Sequence, residues 1–255
     1  MIKYIRLFKG VKKPYNVSEN KTIDIQSDID QWKDVFPEYI AYPGNTGERD
    51  SNGYLDNNTK KVLHYSNTTG RNDIKSVKVA RDSDNIYFMV ECTNDLTSHT
   101  DSKWMRLLID INGSANNNWE TFNYLVNRES PAEKAVLEKS TGGWNWEKVG
   151  DVDYSVKGKR LQLKIPKSMV EIKDDNMVIN FKWSDNMQNE GDIMDFYVNG
   201  DVAPGGRFKY QYMTEIDQMK DLKMNLIKYL IAGGAVLLLG AALSTTYFIK
   251  RKKKK

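Results

Sequence analysis

Residues 229–249 contain no charged side chain, and six basic residues, 250–255, follow them at once. A helix rising about 1.5 Å per residue needs about 20 apolar residues to cross the roughly 30 Å hydrocarbon core of a bilayer. The stretch therefore predicts a membrane-spanning helix over 229–249, with Tyr229 and Tyr247 near the two interfaces where aromatic rings prefer to sit. A basic flank of this kind stays in the cytoplasm, so a single pass places everything upstream on the outer face of the cell membrane. A core helix of a soluble protein seldom runs this long without a polar face. Gly233, Gly234 and Gly240 weaken a soluble helix but are ordinary in a membrane one. The stretch holds no Gly-x-x-x-Gly pattern that would signal helix dimerisation.

This topology changes how the charge is read. Subtracting the six tail residues from the net charge of +4 leaves −2 on the remainder. A near-neutral exposed domain lacks the basic face a nucleic-acid partner needs. The tail is read as a topology determinant beside anionic lipid. Cys92 is the single cysteine, so no intrachain disulfide is expected; it alternates with Ile86, Phe88 and Val90 and is assigned to the core. An outward-facing domain without disulfides is ordinary for a bacterial surface protein. Residues 1–10 lack an apolar run of signal-peptide length, interrupted as they are by Lys3, Arg6 and Lys9. The expectation is a C-terminal piece of a longer exported protein, with 1–21 a leader or linker remnant.

From 22 to 212 the pattern is short apolar runs of period two, at 77–79, 86–92, 104–111, 122–126, 161–165, 177–183 and 193–198. Asn, Asp and Gly clusters separate them, and 43–73 reads as a loop-rich tract. Strands at such spacing predict an all-β fold, an antiparallel β-sandwich over 22–212. Met213, Ile216, Met219 and Ile227 then recur at roughly helical spacing, predicting a juxtamembrane helix over 213–228 that runs into the span.

The aromatic set is the first place to look for chemistry. A sugar presents flat CH faces ringed by hydroxyls. Proteins lay a Trp or Tyr ring on such a face and place polar side chains at its rim. Trp104, Trp119, Trp144, Trp146 and Trp183 all fall in the β region, several beside Asn-rich loops. Trp119 follows Asn116, Asn117 and Asn118 directly, and Trp144 and Trp146, two apart, share one side of a strand. Trp104 is out of phase with Met105, Leu107, Ile109 and Ile111 and is expected to face away from the core. Trp183 is in phase with core positions but lies at a rim, before Ser184, Asp185 and Asn186. The bland alternative for each is an ordinary core or edge tryptophan.

Asp110 and Asn112, with Asp185, Asn186, Asp192 and Asp195, offer the hard oxygens calcium prefers, although no EF-hand spacing is present. Solvated turn carboxylates are the plainer reading, and Asp192 and Asp195 fit equally a buried pairing with Arg207. Two histidines and one cysteine are too few for a zinc site, and no Gly-x-Ser-x-Gly or Cys–His arrangement appears. Nothing selects a carboxylate pair for glycoside hydrolysis, so no catalytic residue is assigned.

Several stretches together resemble the family 9 carbohydrate-binding modules and the wider DOMON-like sandwich group. They are Thr69 to Ile74, Val79 to Asp82 before Asn85 to Phe88, Leu108 to Asn112, Asn118 to Glu120 through Tyr124 to Arg128, and Asp192 to Pro204. The resemblance covers about three quarters of the chain and rests on mainly structural motifs. It implies a β-sandwich that clamps a sugar between two aromatic rings, with calcium as a structural ion. Modules of this kind occur at the C-terminus of large bacterial surface proteins associated with glycoside hydrolases. Asp110, Asn112 and Arg128 fall on matching stretches; the loops differ, and the two clamping tryptophans are not identified. Some DOMON relatives hold haem through axial Met or His, but no His or Met here is placed for that, and no haem is expected.

The combined expectation is a membrane-anchored, extracellular, non-catalytic module that binds a polysaccharide or oligosaccharide and holds a cell or an upstream enzyme against it. The binding set is Trp104, Trp119, Trp144, Trp146, Trp183, Arg128 and Asn186, with calcium at Asp110 and Asn112. The alternatives are a glycoside hydrolase or its accessory part, and a structural or adhesion spacer without a glycan site.

Overall fold

The computed structural model describes residues 17–44, 49–55, 57–111, 118–173 and 177–214. The expected span at 229–249, the basic tail and Asn112 lie outside the described residues, as does the juxtamembrane stretch beyond Thr214. Among the described residues no helix is long and apolar enough to cross a membrane.

The strands are β1 (Glu38–Ile40), β2 (Arg49–Leu55), β3 (Val62–Asn67), β4 (Ile74–Arg81), β5 (Asn85–Cys92), β6 (Arg106–Ile111) and β7 (Tyr124–Val126). They continue with β8 (Ala135–Gly142), β9 (Asn145–Lys157), β10 (Arg160–Pro166), β11 (Val178–Asp185), β12 (Asp201–Ala203) and β13 (Tyr210–Met213). All pairings are antiparallel, so the expected all-β antiparallel class is what forms. Among the described residues, eleven strands join in the order β1-β4-β5-β10-β9-β8-β7-β6-β11-β12, with β13 also on β11, while β2 and β3 form a separate hairpin. That hairpin lies inside the tract read as loop-rich.

β9 is where the sheet turns over. Its 13 residues pair with β8 over the first part and with β10 from Asp153 to Lys157. The halves on either side then face each other. The Phe88 ring of β5 meets the Phe181 ring of β11 at 5.5 Å, and Arg81 of β4 donates to the Tyr212 hydroxyl of β13 at 2.7 Å.

Period-two alternation explains why both faces of the central strands are apolar. In β5, Ile86, Phe88, Val90 and Cys92 enter the core between the halves, as expected. Tyr87 and Met89 point outward, where Ile23, Ile25, Trp32 and Val35 of the N-terminal segment cover them. In β6, Leu107, Ile109 and Ile111 face the inner core, while Leu108 joins Trp119, Phe122, Leu125, Met187, Phe196 and Val202 on the outer face of the second half. Each such side chain contributes about 1.5–3 kcal/mol on burial.

Three sequence expectations change. The run 193–198 is not a strand but a 3-10 turn, Ile193–Tyr197, with the Asp192 carboxylate accepting from the Met194 amide at 2.9 Å. Fully buried Asp195 drives this local fold: it accepts from the Gln188 and Asn189 amides and from the Asn189 and Asn199 side chains, at 2.5–3.2 Å. Arg207, its expected partner, pairs with Glu120 at 3.0 Å instead. The run expected at 104–111 begins two residues late, because Met105 takes φ 39 and breaks the alternation.

Candidate functional site

The structure divides the five tryptophans into two groups. Trp104 and Trp183 are 0% exposed and belong to the core between the halves. The expectation that Trp104 faces outward is thus corrected: the φ reversal at Met105 turns its ring inward, and its indole donates to the Thr97 carbonyl at 3.2 Å. Neither ring presents a face to a ligand.

Trp119, Trp144 and Trp146 converge on the outer side of the second half. Trp144 stands edge-on to Trp119 at 4.5 Å and to Trp146 at 5.5 Å. Trp119 is the foundation of this cluster, 6% exposed and donating its indole N–H to the Gly191 carbonyl at 3.1 Å. Trp144, in the tight β8–β9 turn, and Trp146, on β9, are half-buried and keep ring surface toward solvent. Gly191, at φ 76, lets the 186–192 segment pass against Trp144; a Cβ there would sit 2.8 Å from that residue's Cβ.

Trp144 also forms one wall of a cleft of about 580 Å³. Arg106, 3% exposed, lies in that cleft with its guanidinium 6.0 Å from the Trp144 ring centre. Its Nη2 donates to Glu190 Oε1 and to the Arg128 carbonyl, each at 2.7 Å. Arg128 is gripped from below: its Nε and Nη2 donate to the two Glu138 oxygens at 2.9 and 3.0 Å, and its Nη1 donates to Glu129 at 2.9 Å. Hydrogen bonding to Glu138 raises the guanidinium pKa further. Lys103 donates to the Gln188 carbonyl at 2.8 Å, and Thr100, Ser102 and Ser130 add hydroxyls to the lining. Ionic donors, carboxylate acceptors and hydroxyls therefore ring a single aromatic wall.

Asn186 is not in that lining. At φ 55 it makes the turn after β11, donating from its side chain to the Thr69 carbonyl at 2.8 Å and from its amide to the Lys103 carbonyl at 3.0 Å. Its place is under the Lys103 end of the cleft, as support.

Arg106, Lys103 and Glu190 were not singled out from sequence. For Arg106 a signal existed, since a charged residue opens the apolar run Leu107, Leu108, Ile109. Glu190 reaches the cleft through the 186–192 turn, which no local pattern announces.

The calcium expectation meets different chemistry. Asp110 is 3% exposed, and its Oδ2 accepts from Lys209 at 3.0 Å, Asn180 at 3.2 Å and Thr121 at 3.3 Å. The Lys209 ammonium also lies over the Phe122 ring, 4.1 Å from its centre. A cationic side chain thus already neutralises this carboxylate, whereas calcium needs six to eight oxygens. Among the described residues no group of three or more His, Cys, Asp or Glu could hold a metal ion. Asp110 Oδ1 has no hydrogen-bond partner among the described residues, and Asn112 lies outside them.

No family model, no characterised protein and no solved structure matches the chain.

Proposed function

We propose that the chain is a membrane-anchored, outward-facing carbohydrate-binding module that works without cleaving its ligand. The observation carrying this reading is the Trp144 cleft. It has one partly open aromatic face, and Arg106, Arg128 and Lys103 donate beside the acceptors Glu190 and Glu129. A pyranose has the complementary chemistry, an apolar CH face edged by hydroxyls that both donate and accept. Glu190 and Glu129 are each ion-paired to an arginine, at 2.7 and 2.9 Å. That arrangement suits fixed recognition better than an acid–base exchange, in which a carboxyl must hold and release a proton.

The sequence at 229–255 supports anchoring, with the basic tail inside. Single sugar sites are weak, so retention at a polymer through many neighbouring anchored copies would be the useful property. The test is to screen the full chain in detergent against a glycan array and insoluble polysaccharides, beside the Trp144→Ala variant. Retention on one glycan class, competed by its free sugar and lost in the variant, supports the module. A folded chain that is retained on nothing overturns it and leaves the spacer reading.

A further inference from the structure

Trp144 and Arg106 also line a second and much smaller chamber of about 10 Å³. Arg106, Ser184, Trp119, Trp144 and Phe196 are in its wall. Two of these side chains carry polar atoms with no hydrogen-bond partner among the described residues, Arg106 Nε and Ser184 Oγ. Arg106 is 3% exposed and Ser184 1%, so bulk solvent does not serve either. The two residues stand directly opposite each other in the β6–β11 register and so leave the sheet on the same face. A buried donor without an acceptor loses its hydration with nothing in return, and folded proteins commonly meet that loss with an internal water.

We propose that a single water molecule is bound in this chamber, accepting from Arg106 Nε and hydrogen-bonded to Ser184 Oγ, and that it holds the guanidinium in the orientation the cleft uses. Size selects the guest, because about 10–15 Å³ is the least that holds one water and nothing larger fits. Charge selects it too. Glu190 already neutralises Arg106, and Asp192 lines the same chamber, so an anion gains nothing there. Arg106 Nε can only donate while the Ser184 hydroxyl can do either, which a water satisfies from both sides. Phe196, Leu108 and Met187 add apolar surface to the wall. This site does not depend on which ligand the cleft takes.

A high-resolution crystal structure of the full chain is expected to show one isolated peak within hydrogen-bonding distance of both atoms. Ser184→Ala supplies the independent reading. If the hydroxyl anchors a water, its removal lowers the Tm by about 2–4 °C. If the chamber is empty, the same change deletes an unpaired hydroxyl, and the Tm holds or rises. An empty chamber in the map, or an unchanged or raised Tm in the variant, overturns the proposal. Crystals grown in bromide add a third arm: an anomalous peak between the two atoms would make the guest an anion and overturn it as well.

Discussion

Tyr39 on β1 and Tyr210 on β13 close the seam between the two ends of the sheet by exchanging hydrogen bonds. The Tyr39 hydroxyl donates to the Gln211 carbonyl at 2.7 Å and the Tyr210 hydroxyl to the Ile40 carbonyl at 3.2 Å, with the rings 5.0 Å apart. These strands share no backbone ladder, so the phenols occupy carbonyls that would otherwise be open to another chain's edge. Burial pushes both hydroxyl pKa values up, which keeps them protonated as donors across the physiological range.

Tyr39→Phe is therefore expected to lower stability by about 1 kcal/mol, a Tm fall of about 2–4 °C for a domain of this size. The ring contact with Phe181 at 5.2 Å survives in that variant, so a larger loss would mean the hydroxyl does more than close the seam. Thermal unfolding of the two proteins side by side decides it.

Glu91 should govern acid stability. Burial pushes its carboxyl up, but hydrogen bonds and charge from Lys75 and Arg160 outweigh this and hold its pKa near about 2. Arg160 lies at 2.7 Å, Lys75 at 3.0 Å and Lys159 at 3.4 Å. Because the folded value is below the unfolded one of 4.5, the stabilisation is complete above that pH and is lost as pH falls through about 2. Glu91→Gln is expected to cost on the order of 2 kcal/mol at neutral pH, with the gap to the parent closing in acid. Urea midpoints measured across that window would show it; a constant gap would refute the linkage.

Lys182 should act in the opposite sense. It is fully buried, donates to the Pro204 and Phe208 carbonyls, and lies over the Phe196 ring at 4.7 Å. Burial lowers its pKa from 10.5 to about 7, with nearby Asp201 opposing the shift and Lys209 adding to it. The unfolded chain therefore binds more protons between those values, and this residue's burden on stability is full below about 7 and relieved as pH rises toward 10.5. Lys182→Met, similar in length and uncharged, should gain about 1–3 kcal/mol at mildly acid pH and nothing at high pH. Asp201, raised to about 7 chiefly by burial, runs the other way, so the comparison must be of variant against parent at each pH.

Gly191→Ala tests the wall of the cleft without removing a polar side chain. The new methyl would meet the Trp144 Cβ at 2.8 Å and would also sit at φ 76, which disfavours any side chain by about 1–2 kcal/mol. The expected result is a modest loss of stability with at least a tenfold loss of glycan retention as Trp144 moves, read by pull-down and by tryptophan fluorescence. Unchanged retention would detach Trp144 from binding.

Alternation was enough to locate β4, β5, β10 and β11, because their apolar residues repeat every second position and the inner core absorbs one face of each. It missed β8, whose buried apolar positions are only Ala135 and Leu137, and β9, whose side chains are largely exposed; pairing with their neighbours makes them strands. It also misread 193–198, where Ile193, Phe196 and Val198 look strand-like but the buried Asp195 carboxylate gathers donors from both sides and curls the chain.

The cleft shows the same division. Trp119, Trp144 and Trp146 could be singled out as residues whose chemistry suits a sugar, and 229–249 as a segment whose length and lack of charge suit a bilayer, because side-chain chemistry and segment length are local properties; Arg128 came from the resemblance alone. Tertiary structure alone decided that Trp104 turns inward, that Asp110 meets Lys209, and that Arg106, Glu190 and Trp144 share one cleft. Those three stand on β6, the turn after β11 and the β8–β9 turn. Distance along the chain carries no information about their meeting, which follows from how the sheet folds back on itself at β9.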